Sequence, residues 1–563
     1  MTECYNGIIW GCDMRKSVML STMLVVCSLL FSACSNVCIH QNNGITVTSS
    51  LTDKPVLVGD IPCTFPLTKE DTSLNILISG YDDLNPEDVY VWKQYEKMTG
   101  VKINWTPVAS DERKEKIYNV LINQSDIDLI MRCKIKAGLL TQYGESGLIL
   151  DLSKNDLLKN NAPNCYAYLQ SHPDSLASVT NPDGSIYSIP QVNAGAQLRV
   201  SRKLFVNKEW LARVDMELPT TTEEFYQLLK AFKEQDANGN GDPDDEIPFC
   251  SQDFNSVQDT MFGAFGLANR GQHNQVVDYD ETFHHVRLIA STPEYRSYLQ
   301  YLKKLYSEKL LDNNIFNMTK EQWNNNAIND RIGVFAHTNL ANLPADQMDN
   351  FVAIDEALSG PDGYKLWTAV RANFHSTGAA VIPASCDRPD LVLKWLDYFW
   401  TDEGTLFYHM GIENETFIVN QDGSYDYAPE IYEQMKQNDL SFDDVVATYS
   451  PYPGGGNPTV EIAPYFKGGE MAAVPANAAI KLFQYGPKEY WPSFTFTSEE
   501  NERLSIIESD IQKYCENSRI DFITGKRSLS EWDAYIAQLD ELGIAELLSI
   551  YQAAVDRYEG MKP

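Results

Sequence analysis

Between residues 74 and 131 short apolar runs alternate with amphipathic stretches at joints of a few residues, a rhythm that few architectures accommodate. Leu74–Ile78 reads as a strand ending at Gly80. Asn85-Pro86 then supplies an N-cap and a first-turn proline, and Glu87 and Asp88 suit the positive end of a helix dipole. Val91, Tyr95 and Met98 share one face of that helix, which stops at Gly100. Val101–Trp105 is a second strand, Asp111–Asn123 a charged helix and Ile127–Met131 a third strand. Joints this short allow only parallel strands with helices laid across them, an open α/β sheet. In such sheets ligands bind beyond the carboxyl ends of the strands, which directs attention to Tyr81 and Asp82.

With 563 residues the chain exceeds what one hydrophobic core can organise, so two lobes are expected. A second unit opens near Arg202, with a strand at Leu204–Val206 and a helix at Glu209–Val214. Thr221 and Glu224 form a capping box for a helix whose core stripe is Phe225, Leu228, Leu229 and Phe232. Tyr295–Tyr306 is a further helix, Ile332–Phe335 a strand and Pro389–Thr401 a helix with Val392, Trp395, Leu396 and Phe399 inward. The lobes are expected to comprise residues 68–193 with 336–410, and 194–335 with 411–563.

The first 34 residues read as an export signal. Arg15 and Lys16 precede the 14-residue apolar run Val18–Phe31, too short to span a bilayer. Phe31-Ser32-Ala33-Cys34 resembles a bacterial lipobox, with Phe31 where leucine is usual, so Cys34 is the expected lipidation site and Met14 the expected start. A polar tether over 35–67 would follow. The seven cysteines beyond Cys34 are scattered without metal-type spacing, and no disulfide framework is expected. A net charge of −33 excludes nucleic acid as a partner and disfavours strongly anionic ligands, unless a local basic pocket overrides the global sign.

Asp236-Ala237-Asn238-Gly239-Asn240-Gly241-Asp242 places oxygen side chains at positions 1, 3 and 5, a glycine at 6 and a carbonyl at 7, the front of a calcium loop. Position 12, a bidentate Glu in an EF-hand, is Ile247, and Pro248 opposes a regular exiting helix. The expected ligands of a structural Ca2+ are Asp236, Asn238, Asn240, the Asp242 carbonyl, Asp245 and Glu246.

The surroundings of this loop carry a resemblance. It follows Leu204-Phe205-Val206-Asn207-Lys208-Glu209-Trp210-Leu211 and Pro219-Thr220-Thr221, and Asp245-Glu246-Ile247-Pro248 closes it. With Lys93–Gly100, Tyr143–Leu148, Asp183–Pro190, Gly360–Gly363, Gly411–Glu413 and Phe522–Gly525, the order is similar to that of the large extracellular solute-binding proteins of carbohydrate ABC importers. The resemblance covers about residues 74–558. It implies a two-lobed, Venus-flytrap α/β fold of the periplasmic-binding-protein type, an oligosaccharide held between the lobes and delivery to ABC permease subunits. The lipobox-like residues add the expectation of a lipid anchor on the outer face of the cytoplasmic membrane, and a monomer is expected.

Sugar recognition pairs aromatic faces with planar polar groups. Trp92, Trp210, Trp395 and Trp532 fall in helices and read as packing. The ligand-binding candidates lie at expected crossings and strand ends: Tyr81, Asp82, Gln191, Asn193, Trp367, Phe374, His375, Tyr452 and Trp491. A receptor for peptides or other small solutes is the alternative cargo reading. No HExxH, GxSxG or P-loop motif is present, so no catalytic residues are expected; a glycan-active enzyme would need a carboxylate pair across the cleft.

Overall fold

The computed structural model describes residues 59–562 except 82–83, 243, 272–275, 345, 439, 441, 452–453 and 468, and leaves the side chains of 374 and 375 undescribed. The leader, Cys34, most of the tether, Asp82 and Tyr452 therefore lie outside the described residues. Among the described residues no helix is long and apolar enough to cross a membrane.

The chain opens with β1 (Thr72–Ser79), β2 (Val101–Val108), β3 (Leu129–Ile135) and β4 (Ile189–Ala194). β1 pairs in parallel with both β2 and β3, as short joints around the helices Tyr90–Thr99 and Arg113–Ile122 require. Asn85 caps a short 3-10 turn before the first of these helices, and Gly100 ends it in the left-handed conformation. The chain then crosses to a second sheet with β5 (Lys203–Asn207) and β6 (Ile247–Cys250), makes a separate hairpin of β7 (Val277–Asp280) and β8 (His285–Leu288), and adds β9 (Ile332–His337) and β10 (Phe351–Ala353). It returns with β11 (Phe374–Val381), makes a hairpin of β12 (Phe417–Val419) and β13 (Tyr425–Tyr427), and completes the first sheet with β14 (Val460–Ile462). The sheet orders are β14-β4-β11-β3-β1-β2 and β10-β5-β9-β6. The chain ends in three helices, Ser498–Thr524, Trp532–Glu541 and Ile544–Met561, on the second lobe.

Two segments depart from the expected partition. Residues 351–353, expected with the first lobe, pair as β10 with β5 in the second sheet. Residues 460–462, expected with the second lobe, pair as β14 with β4 in the first. Both strands are three residues long and pair far along the chain, so no local periodicity announces them. The end of the expected tether is also part of the fold: Gly59 N–H donates to the Trp400 carbonyl at 2.8 Å and Leu67 N–H to that of Thr99 at 2.8 Å.

Each sheet has its own core. The first centres on Trp92, Tyr95, Trp395 and Phe399, with Trp92 stacked on Trp395 at 5.7 Å. The second gathers Trp210, Phe225, Leu229 and Phe232 under the helix Thr222–Glu234, whose Thr221–Glu224 capping box is formed. Trp532 packs beneath the C-terminal helices, so the four helical tryptophans are all buried.

Candidate ligand cleft and cation loop

Three crossings join the sheets: residues 195–202 from β4 to β5, 369–373 into β11, and 463–472 from β14 to the helix Ala473–Phe483. The first two run side by side. Arg371 N–H donates to the Arg199 carbonyl and Ser201 N–H to that of Ala369, each at 2.8 Å, and Asn193 N–H donates to the Asn373 carbonyl at 2.5 Å. The third lies against them at Gly195, where a Cβ would sit 3.6 Å from that of Ala463. Gly195 has φ 100°, which a residue with a side chain adopts only under strain.

The strand ends beside the crossings carry a buried polar cluster. Gln191 Oε1 accepts from the backbone N–H groups of Gly456 and, at 3.1 Å, Asn457. Asn457 Nδ2 in turn donates to Glu461 Oε1 at 3.1 Å. Glu461 is 4% exposed, and burial lifts its carboxyl to about 7 against the opposing effect of its hydrogen bonds. Asn193 is buried beside Gln191. Tyr81 packs at the end of β1, its hydroxyl accepting from Trp92 Nε1 at 3.0 Å and its ring 5.2 Å from the Arg132 guanidinium. The structure thus brings Tyr81, Gln191 and Asn193 to one end of the first sheet. Arg132 and Lys134, at the end of β3, both have positive φ, 61° and 52°, a conformation that costs energy in residues with side chains.

Where the first crossing reaches the second lobe, Arg202 donates to Ser256 Oγ at 2.7 Å and to Asp259 at 3.1 Å. His337, at the end of β9, meets Asn342 Nδ2 through Nε2 at 2.6 Å, and burial holds its imidazole below the usual range. The sequence reading missed Arg132, Lys134, Glu461, Lys203 and Arg371. A signal existed for two of them: Arg132-Cys133-Lys134 puts cations where the apolar strand Leu129-Ile130-Met131 ends. Glu461 and Arg371 sit in segments with no local pattern at all.

Trp367 and Trp491 require correction as ligand platforms. Both are 1% exposed and belong to the second core. Trp367 Nε1 donates to the Arg202 carbonyl at 3.1 Å, and the Arg270 guanidinium lies 5.5 Å from the Trp491 ring. Their segments are irregular, as read, but both rings are packed into that core, Trp491 against Tyr279 and Phe494. Phe374 and His375 begin β11 next to the second crossing. A cavity of about 320 Å3 lies inside the second lobe, lined by Arg202, Asp259, Tyr295, Gln512 and Arg519 among others. It touches the crossings only through Arg202, and the strand ends remain the better candidate because an open sheet concentrates its ligand groups there.

The loop 236–246 is folded as a cradle. Asp236 Oδ2 accepts from Gly241 N–H at 2.9 Å, Asn238 Oδ1 from Asn240 N–H at 3.0 Å and Asn240 Oδ1 from Asp242 N–H at 2.7 Å. Asp245 takes the side-chain amides of Asn238 at 2.9 Å and Asn240 at 3.1 Å and pairs with Arg331 at 3.3 Å. Two carboxylate oxygens, Asp236 Oδ1 and Glu246 Oε2, are buried without a hydrogen-bond partner. Burial pushes the Glu246 carboxyl up. Orphaned, desolvated carboxylate oxygens are costly unless a cation completes them, so this donor set fits a hard divalent ion. Among the described residues no three His, Cys, Asp or Glu side chains gather as a metal site; the loop would rely on amide and carbonyl oxygens as well.

Two α/β sheets linked by three adjoining crossings define a two-lobed solute receptor. The family model described as bacterial extracellular solute-binding protein matches residues 82–405, and the chain belongs to that family. It is 26% identical over 534 residues to the fructooligosaccharide ABC transporter substrate-binding protein FusA of Streptococcus pneumoniae, covering 89% of this chain and 93% of that one. Its fold matches an EF-hand mutant of FusA in complex with fructo-nystose, with TM-score 0.67, 22% identity, and coverage of 87% of this chain and 100% of that one. It also matches a human-milk-oligosaccharide (HMO)-binding, ABC-transporter-associated solute-binding protein of Bifidobacterium longum infantis, with TM-score 0.72, 20% identity, and coverage of 87% and 99%. These relatives are substrate-binding proteins, and the family is extracellular.

Proposed function

We propose that this protein captures an oligosaccharide between its two lobes and hands it to the permease of an ABC importer without altering it covalently. The observation that carries this reading is the set of planar polar groups, Gln191, Asn193, Asn457 and Glu461, held at the strand ends beside three crossings. Amide and carboxylate groups of fixed orientation suit paired sugar hydroxyls, and Tyr81, packed in the first core, supports this end of the sheet from beneath. Relatives named for fructooligosaccharide and milk-oligosaccharide binding support the same cargo class. The lobes would consist of residues 59–194 with 374–462, and 203–369 with 473–562, working as a monomer.

Cys34 would carry the lipid that holds the receptor at the outer face of the membrane, a reading supported by the lipobox-like residues before it. Asp236, Asn238, Asn240, the Asp242 carbonyl, Asp245 and Glu246 would hold a calcium ion. Bound there, it would neutralise the carboxylates and tie the two ends of the loop together. The EF-hand named in the FusA structure supports a comparable loop in a relative.

The test is calorimetry and thermal shift on the chain from residue 35 against oligosaccharides and peptides, with chromatography of the recovered ligand. Binding of an intact glycan is the expected result. Peptide-only binding would replace the cargo, and cleavage of the glycan would end the receptor reading.

A further inference from the structure

The cavity of about 320 Å3 in the second lobe lies between the helices Phe254–Met261 and Ser498–Thr524, with Tyr295 and Ile289 among its walls. Close-packed interiors hold few voids larger than a water molecule, so a space of this size is a feature the chain keeps. It falls at the lower end of the range of ligand pockets, about 300–1,000 Å3, and suits one ring rather than a string of them. None of Gln191, Asn193, Asn457 and Glu461 lines it, so it is distinct from the strand-end cluster.

Both helices contribute polar groups. Asn255, Gln258 and Asp259 come from the first, Gln512, Glu516 and Arg519 from the second. Asn255 and Glu516 are exposed, which puts the mouth between them, whereas Gln258 and Asp259 are buried. Arg519 is held from two directions: its Nη1 donates to Gln258 Oε1, and the guanidinium lies 4.7 Å from the centre of the Phe254 ring. Its Nε is buried without a hydrogen-bond partner. A desolvated donor without an acceptor is costly, and on a cavity wall an entering hydroxyl can complete it.

The charge of the lining narrows the ligand. Arg202 pairs with Asp259 at 3.1 Å, and Glu516 stands one turn before Arg519 on the same helix. Two cations and two carboxylates leave the wall without net charge, so a charged solute gains nothing from it as a whole. The amides of Asn255, Gln258 and Gln512 each offer both donors and an acceptor, as neighbouring sugar hydroxyls require. Phe262, Tyr295, Ile289 and Ile511 supply apolar surface for the C–H face of a ring.

We propose that this cavity is a second binding site, for a single neutral sugar ring, filled independently of the cargo held at the strand ends.

Calorimetry on the chain from residue 35 tests this with glucose, galactose, fructose and galacturonate. At least one neutral monosaccharide is expected to bind with a submillimolar dissociation constant, and galacturonate tenfold or more weaker than that sugar. Arg519→Met should weaken the neutral sugar tenfold or more, with the ligand-free melting temperature within a few degrees of wild type. Gln512→Leu, at a half-buried position of the same helix, should weaken it at least threefold and serves if Arg519→Met does not fold. Binding that survives both substitutions places the sugar elsewhere and overturns the proposal, as does equal or tighter binding of galacturonate. Absence of monosaccharide binding overturns it too, and each of these results leaves the oligosaccharide reading of the strand ends standing.

Discussion

The two lobes are built on different principles. The first buries a tight aromatic knot, Trp92, Tyr95, Trp395, Tyr398 and Phe399, whose ring centroids lie 4.8–5.7 Å apart in the contacts Tyr95–Phe399, Tyr95–Trp395 and Trp92–Trp395. The second has the smaller sheet, four strands against six, and surrounds it with helices fixed by local devices: the 221–224 capping box, the 236–246 loop and the Arg270–Asp278–Arg287 ion network. Packing holds both lobes: the second gathers the larger buried core, around Trp210, Tyr298, Trp367 and Trp491, and the local devices add to it. Where the sheet is small, helices packed around it supply the rest of the buried apolar surface.

That contrast yields outcomes of graded size. Trp395→Ala removes the centre of the aromatic knot and should cost about 3–5 kcal/mol, read by chemical denaturation. Trp210→Ala in the second lobe provides the companion measurement; a larger loss there would reverse the comparison. His409, fully buried in the first lobe, is held to about 4 by burial, although its bond to the Thr405 carbonyl favours the charged form. A depressed imidazole binds fewer protons folded than unfolded between its usual value and about 4. Its stability contribution is therefore complete above the ordinary histidine range and is lost as pH falls through about 4, by up to about 3 kcal/mol. A pH series of denaturation curves should show this slope, and His409→Gln should flatten it.

Smaller effects are expected in the second lobe. With calcium at about a hundredfold over its dissociation constant, chelation should withdraw about 2.7 kcal/mol and lower the melting temperature. Asp236→Ala should abolish that sensitivity; a melting curve indifferent to chelator in the wild type would remove the ion from the loop. Thr221→Ala breaks one capping box and should cost about 1 kcal/mol, with ligand affinity unchanged.

The alternation of strand and helix in residues 74–131 made β1, β2 and β3 legible, because short joints around crossover helices leave only parallel strands of one sheet. The same held for β5, the helix after it and the Thr221 cap, where local chemistry sets the boundary. β10 and β14 were illegible for the opposite reason: three residues cannot display a period, and their partners lie more than a hundred residues away. The site divided in the same way. Tyr81, Gln191 and Asn193 follow from strand ends that local patterns reveal. Trp367 and Trp491 were misread because a loop tryptophan buried against segments distant in sequence has the same sequence neighbourhood as an exposed one. Glu461 and Arg371 acquire their meaning only when the third and second crossings bring them beside β4 and β5.

The bonded pair of crossings at residues 193–201 and 369–373 sets how the receptor can move. Hydrogen-bonded strands resist sliding past each other but yield to flexure across their shared face, so hinge closure is the motion this pairing favours. Occupancy would then be written into one angle, legible from outside without touching the cargo, and a membrane partner that gauges the spacing of the two tips could distinguish a loaded receptor from an empty one.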